Sequence, residues 1–211
     1  LSTSLMGPVQ TDAVARAMAV LERSAAMGVI VAAPTAGSAG VVPGCVLAVA
    51  DATGAGEKDV ASALYCAAAV GLNIQTHACV AGAEGGCQAE VGSAAAMAAA
   101  ALVELLGGSP EQALTAASLA ISNLLGLVCD PVGGLVEVPC QARNAIGVAA
   151  AFSSAQLALS GVRWLVPFDE VVAAMAEVGH ALPSRLRETA RGGLAAAPTA
   201  RAACAACGGC A

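Results

Sequence analysis

Aromatic rings and charged groups are what this chain has least of. It carries one Trp, one Tyr and two Phe in 211 residues, and only 11% of its residues are charged. So few aromatics leave no belt of interfacial rings of the kind that brackets membrane spans. Nine basic residues stand against fifteen acidic ones, for a net charge of −6. The basic residues are scattered, so the chain has no cationic footprint for a nucleic acid. Lysine occurs once, as Lys58 in a polar, turn-like helix start. Pyridoxal phosphate chemistry needs a Schiff-base lysine, and Lys58 reads as a solvated charge instead. A secretory leader is not expected, because Asp12, Arg16 and Glu22 interrupt the first apolar stretch. The start at Leu1 suggests a processed or trimmed fragment.

What is abundant is small and apolar. Residues of the hydrophobic class make up 58% of the chain, and Ala, Val and Leu supply most of them. Ala has the best helix propensity, and small side chains let helices approach closely. The expectation is an all-α, single helical domain with a buried apolar central helix. A mean hydropathy of +0.77 raises a membrane alternative. Residues 24–50 and 60–83 are uncharged. However, Pro34, Gly37, Gly40, Pro43 and Gly44 break the first stretch, and Asn73, Gln75, Thr76 and His77 close the second. A buried core helix explains the same hydropathy, so no membrane partner is expected.

Glycine and proline punctuation divides the chain into helices over residues 11–27, 45–52, 57–78, 88–106, 109–125, 141–160 and 168–181, with residues 31–44 as a loop. Ser109-Pro110-Glu111-Gln112 is a strong start signal: a capping Ser, Pro at the first helical position, and Gln three residues after the cap. A short strand over residues 135–138 is the one candidate for β structure. Residues 1–198 form the domain and residues 199–211 a short Ala- and Cys-rich tail.

Three glycine-rich loops carry most of the polar and thiol groups between the helices. They are Pro34-Thr35-Ala36-Gly37-Ser38, Gly82-Ala83-Glu84-Gly85-Gly86-Cys87-Gln88, and Cys129-Asp130-Pro131-Val132-Gly133-Gly134. Each opens onto a helix or a following thiol, where backbone amides favour anions. A single such loop only turns a corner; three, two of them with cysteine, point to a site. Nine cysteines, an odd number without an export signal, suit a reducing cytoplasm and metal better than a disulfide framework. On spacing alone, Cys87, Cys129 and Cys140 each read as small buried apolar side chains. Cys45, Cys66 and Cys79 read as core. The local run that mimics a ferredoxin-type motif is Cys204-x-x-Cys207-x-x-Cys210.

These blocks resemble those of the iron–sulfur L-serine dehydratase α chain. The resemblance rests on residues 34–43, 82–92 and 129–140, with Arg143-Asn144-Ala145, Gly192-Gly193-Leu194-Ala195 and Pro198-Thr199 in support, and it runs in order along nearly the whole chain. It implies a mainly helical fold and a [4Fe–4S] cluster held by Cys87, Cys129 and Cys140, with the fourth iron open to substrate. Cys210 is the tail thiol expected to visit that iron when substrate is absent. The implied activity is L-serine ammonia-lyase, removing water and then ammonia to leave pyruvate, in amino-acid degradation and gluconeogenesis. The open iron would act as a Lewis acid on the β-hydroxyl.

Glu84, Glu90 and His77 are the candidates for proton transfer. Two of them have a plainer reading: a dipole-favoured helix charge for Glu90 and a structural hydrogen bond for His77. Thr35, Ser38, Arg143 and Asn144 are the candidates for binding substrate; Arg143 would clamp the carboxylate or pair with Glu137 or Asp130. His180, near a helix C-terminus, reads as structural. The family usually carries a further N-terminal Ser-Gly and Gly-Gly-Asp block. A missing N-terminal segment and a β-type domain or chain are therefore expected partners, alongside L-serine and a homo-oligomeric assembly. Relatives often have Asn at the position of His77 and Ser at that of Ala81, and many have a charge at that of Ala142, which puts the fine substrate contacts in question. A cysteine desulfidase on the same scaffold and an inactive or regulatory metal-binding subunit are the competing functions.

Overall fold

Eleven successive residues of one helix, Ser93 to Val103, are buried, and this segment is the axis of the protein. The computed structural model describes residues 4–207. Its helices are α1 (Gly7–Ala25), α2 (Val41–Thr53), α3 (Glu57–His77), the single turn α4 (Gly82–Gly85), α5 (Ser93–Leu105), α6 (Pro110–Ser122), α7 (Cys140–Leu159), α8 (Phe168–Ala181) and α9 (Pro198–Cys207). Among the described residues there is no strand, only an isolated bridge between Cys129 and Arg187. The expected 135–138 strand is instead exposed turn: it lies beside the Val132 turn, whose N–H donates to Val138 O, and α9, and neither is an extended partner for a ladder.

Helix α5 packs against α2, α3, α6 and α7, which form a shell around it. Its sequence is Ala-rich, so the shell approaches closely on every side and the helix has no polar stripe. The same small-residue logic brings α1 against α2. A Cβ at Gly40 would overlap the Ala17 carbonyl, and one at Gly44 would stand 2.6 Å from the Ala13 carbonyl oxygen. The stretch Ala36–Thr53 is long and apolar enough to cross a membrane, but 61% of it is buried inside the protein, as in a core helix.

Helix α2 begins at Val41, not at residue 45 as the Pro43-Gly44 pair suggested. Proline is tolerated in a first turn, where its missing N–H has no intrahelical partner anyway. Helix α1 likewise starts earlier, at Gly7, with Pro8 in its first turn. Ser109 caps α6 as expected: its hydroxyl accepts from Gln112 N at 3.3 Å while Gln112 Oε1 accepts from Ser109 N at 2.9 Å. The segment after Pro198 is the helix α9, lying against the turns Val132–Gly134 and Gly193–Ala196.

Candidate metal centre

The three glycine-rich loops converge at one end of α5. The turn after Cys87, Gln88–Gly92, is π-helical, a wide turn of the type that often marks functional sites. Gln88 fixes it from the buried side. Its Nε2 donates to the Met175 carbonyl at 2.8 Å, and its Oε1 accepts from Gly126 N at 2.8 Å. The loop bearing Cys129 is thereby tied to the turn bearing Cys87. Cys129 is held from the other side by the bridge: its N–H donates to Leu186 O, and its carbonyl accepts from Glu188 N.

Cys87, Glu90 and Cys129 each offer one ligand atom, and these atoms lie within 4.8 Å of one another. The Glu90 Oε2 is 4.0 Å from the Cys87 sulfur and 3.9 Å from the Cys129 sulfur. Both cysteines are almost fully buried, at 1% and 2% exposure. Cys140 is also buried and opens α7 close enough for Cys87 to act on its charge, although it stands outside that tight trio. Two glycines leave room: a Cβ at Gly82 would sit 2.8 Å from Glu90 Oε2 and 2.9 Å from the Cys129 sulfur, and one at Gly37 would sit 3.4 Å from Glu90 Oε2.

The thiols share their protons unequally. Cys87 is held below the ordinary thiol range because Cys129 donates to it, helped by the Arg143 guanidinium. Cys129 is pushed up in return, by that same bond and by burial. Burial, and then the charge on Cys87, pushes Cys140 up to about 12. Glu90 is raised chiefly by burial, and a hydrogen bond with Thr35 works against the shift. Low-dielectric surroundings thus hold protons that a cation would displace. A thiol-rich, buried donor set of this kind suits a soft metal or an iron–sulfur group.

The other expected site residues divide. Arg143 is committed to the protein: Nη2 donates to Asp130 Oδ1 at 2.7 Å and Nη1 to the Val128 carbonyl at 2.9 Å. Asp130 also accepts from Leu194 N at 2.7 Å. Asn144, fully buried, donates to the carbonyls of Gly37 and Cys140 and accepts from Gly40 N, so it pins the first loop onto α7 rather than facing a ligand. Thr35 and Ser38 pair through their hydroxyls at 3.1 Å, Ser38 being fully buried. Glu84 and His77 do not join the thiols. They line a neighbouring cavity with Cys79 and His180, so Cys79 is not the core residue its sequence position suggested. Cys45 is core, and Cys66 is half-buried. Cys210 lies outside the described residues. Glu188, which sequence reading missed, acts on both Glu90 and Cys129. Its positive φ of 61° is the clue, and only coordinates reveal it.

Comparison with known proteins adds identity to this geometry. A family model described as serine dehydratase alpha chain matches residues 1–195. A protein of Bacillus subtilis (strain 168) named probable L-serine dehydratase, alpha chain, is 52% identical over 198 residues, covering 94% of this chain and 66% of that protein. The L-serine dehydratase, alpha chain, of Peptoniphilus asaccharolyticus is 54% identical over 196 residues, covering 93% and 67%. An L-serine dehydratase of Streptomyces coelicolor is 46% identical over 181 residues, covering 85% of this chain but 40% of its own length. The chain thus spans about two thirds of the two alpha chains and less than half of the third protein.

Proposed function

The chain belongs to the serine dehydratase alpha chain family, and from that membership we propose that it carries the catalytic centre of an L-serine dehydratase. The reaction removes the Cα proton and the β-hydroxyl of L-serine as water, and the resulting enamine tautomerises and hydrolyses to pyruvate and ammonia. The observation that supports this most is the convergence of buried Cys87 and Cys129 with Glu90, from loops far apart in sequence. Cys87, Cys129 and Cys140 would hold a [4Fe–4S] cluster. When bound, that group supplies a Lewis acid that stabilises the charge developing on the departing hydroxyl.

The chain's own residues do the rest. Glu90 holds a proton-accepting oxygen beside the thiols, and its raised pKa makes it the stronger base. Arg143 favours the thiolate of Cys87 and is itself positioned by Asp130. Asn144 keeps the Thr35–Ser38 loop in place, and Thr35, its hydroxyl accepting from Ser38, would be the loop's donor to a substrate carboxylate. Residues 1–198 would act as the catalytic unit and 199–211, with Cys210 as a further cluster ligand, as its tail; the family match covers residues 1–195. The relatives' alpha-chain names, and the 40% coverage of the Streptomyces protein, support a β-type partner. A chain with nine cysteines and no secretory leader expected suits a reducing cytoplasm.

Iron and sulfide analysis of the full-length protein after anaerobic purification tests this reading. Wild type is expected to contain cluster iron and to form pyruvate from L-serine, and Cys87→Ser, Cys129→Ser and Cys140→Ser each to lose the iron. Full iron in any one variant removes that residue from the ligand set.

A further inference from the structure

The chain has two histidines, and both line the same cavity of about 110 Å³, together with Cys79 and Glu84. They reach it from separate elements. His77 ends α3, Cys79 follows it by two residues, Glu84 lies in α4, and His180 stands in the last turn of α8. None of the four belongs to the Cys87, Glu90 and Cys129 group.

Local geometry prepares these side chains for a cation. His77 Nδ1 donates to the Asn73 carbonyl at 3.0 Å. A carbonyl can only accept, so the ring proton sits on Nδ1 and the Nε2 lone pair is left for a ligand; metal-binding imidazoles are oriented in this way. Two glycines make the cavity. A Cβ at Gly85 would stand 2.6 Å from the Cys79 sulfur, and one at Gly179 would stand 3.0 Å from the Gly85 Cα. Without side chains at these positions, α8 approaches α4 and the thiol keeps its space. Burial raises the Cys79 thiol, and the Glu84 carboxylate raises it further, a repulsion that a divalent cation would turn into attraction.

We propose that His77, Cys79, Glu84 and His180 form a second metal site, for one divalent transition cation of the zinc type. Two imidazoles, a thiolate and a carboxylate make a four-donor set of the kind that binds such ions tetrahedrally. Among the described residues no three of these donors have their ligand atoms within 4.8 Å of one another, and His77, Glu84 and His180 are exposed, so a bound cation would have to draw the exposed side chains inward. Occupancy ties the ends of α3 and α8 to the turn that leads into Cys87. The proposal uses none of the residues assigned to the cluster and stands apart from the reaction.

Equilibrium dialysis of the full-length, anaerobically purified protein against buffered zinc chloride, with zinc and iron measured on the same samples, tests it. Wild type is expected to take up one zinc per chain beyond any held in place of iron. The double variant His77→Ala, His180→Ala should bind that zinc more than about 100-fold more weakly, exceeding the roughly 10–100-fold cost of losing a supporting outer partner. Its iron content should be unchanged. Cys79→Ser and Glu84→Gln, each with a smaller loss of affinity, provide the same readout should the double variant fail to fold. X-ray absorption at the zinc edge should show mixed nitrogen and sulfur ligation. Equal zinc uptake by wild type and all variants, or no uptake by wild type, overturns the proposal. Absence of iron from every sample would instead count against the cluster and leave the zinc result standing.

Discussion

Asp130 and Arg143 form a pair whose side chains are only 4% and 13% exposed, so both charges are largely withdrawn from water. The acid was one of two partners foreseen for the arginine; Glu137, the other, is exposed. Gly193, at φ +59°, stands against the Asp130 carboxylate, where a Cβ would overlap it. Truncating the acid strands a buried guanidinium, and Asp130→Ala is expected to cost about 3–5 kcal/mol in urea denaturation. Glu90 gives the opposite sign. Its folded pKa lies above the unfolded value, so its contribution to stability is complete below the unfolded pKa and is lost as pH rises through the folded one. In the metal-free chain, Glu90→Gln should therefore raise the melting temperature at neutral pH and leave it little changed in acid. A neutral-pH melting temperature equal to wild type would mean that the carboxylate is not desolvated.

At the scale of single elements, local chemistry decided the ends. The Ser109–Gln112 box was readable because it needs only four consecutive residues, and the structure shows both of its bonds. Ser109→Ala should cost about 1 kcal/mol, a fall of about 2–4 °C in melting temperature for a domain of this size. Helix α8 matches its expected range of 168–181, since Pro167 and the Leu182-Pro183 pair bound it. Helix α2 was harder to read, because Pro43-Gly44 carries the same punctuation whether it lies in a loop or in a first turn. The π turn at Gln88–Gly92 was not legible, because it follows from where Gln88 finds partners on α8 and on the segment before Cys129.

For the whole molecule, the proposed cluster would join points at residues 87, 129 and 140, so metal should stabilise the fold by tying these three segments together. Stripping iron with a chelator is expected to lower the melting temperature of the wild-type protein, because binding free energy is folding free energy where the site exists only in the folded state. In Cys129→Ser, freed beforehand of any zinc, the same treatment should have no effect on melting; a drop equal to that of wild type would locate the stabilising iron elsewhere. Composition alone determined that this chain is helical and close-packed, because Ala content is a property of the residues themselves. The blocks around the cysteines carried the family resemblance. Tertiary structure alone decided that Glu90 and not Glu84 meets the thiols, that Arg143 and Asn144 are spent on the protein, and that two distant histidines share a cavity. Side-chain partnership across tens of residues depends on how helices pack, and no local spacing encodes it.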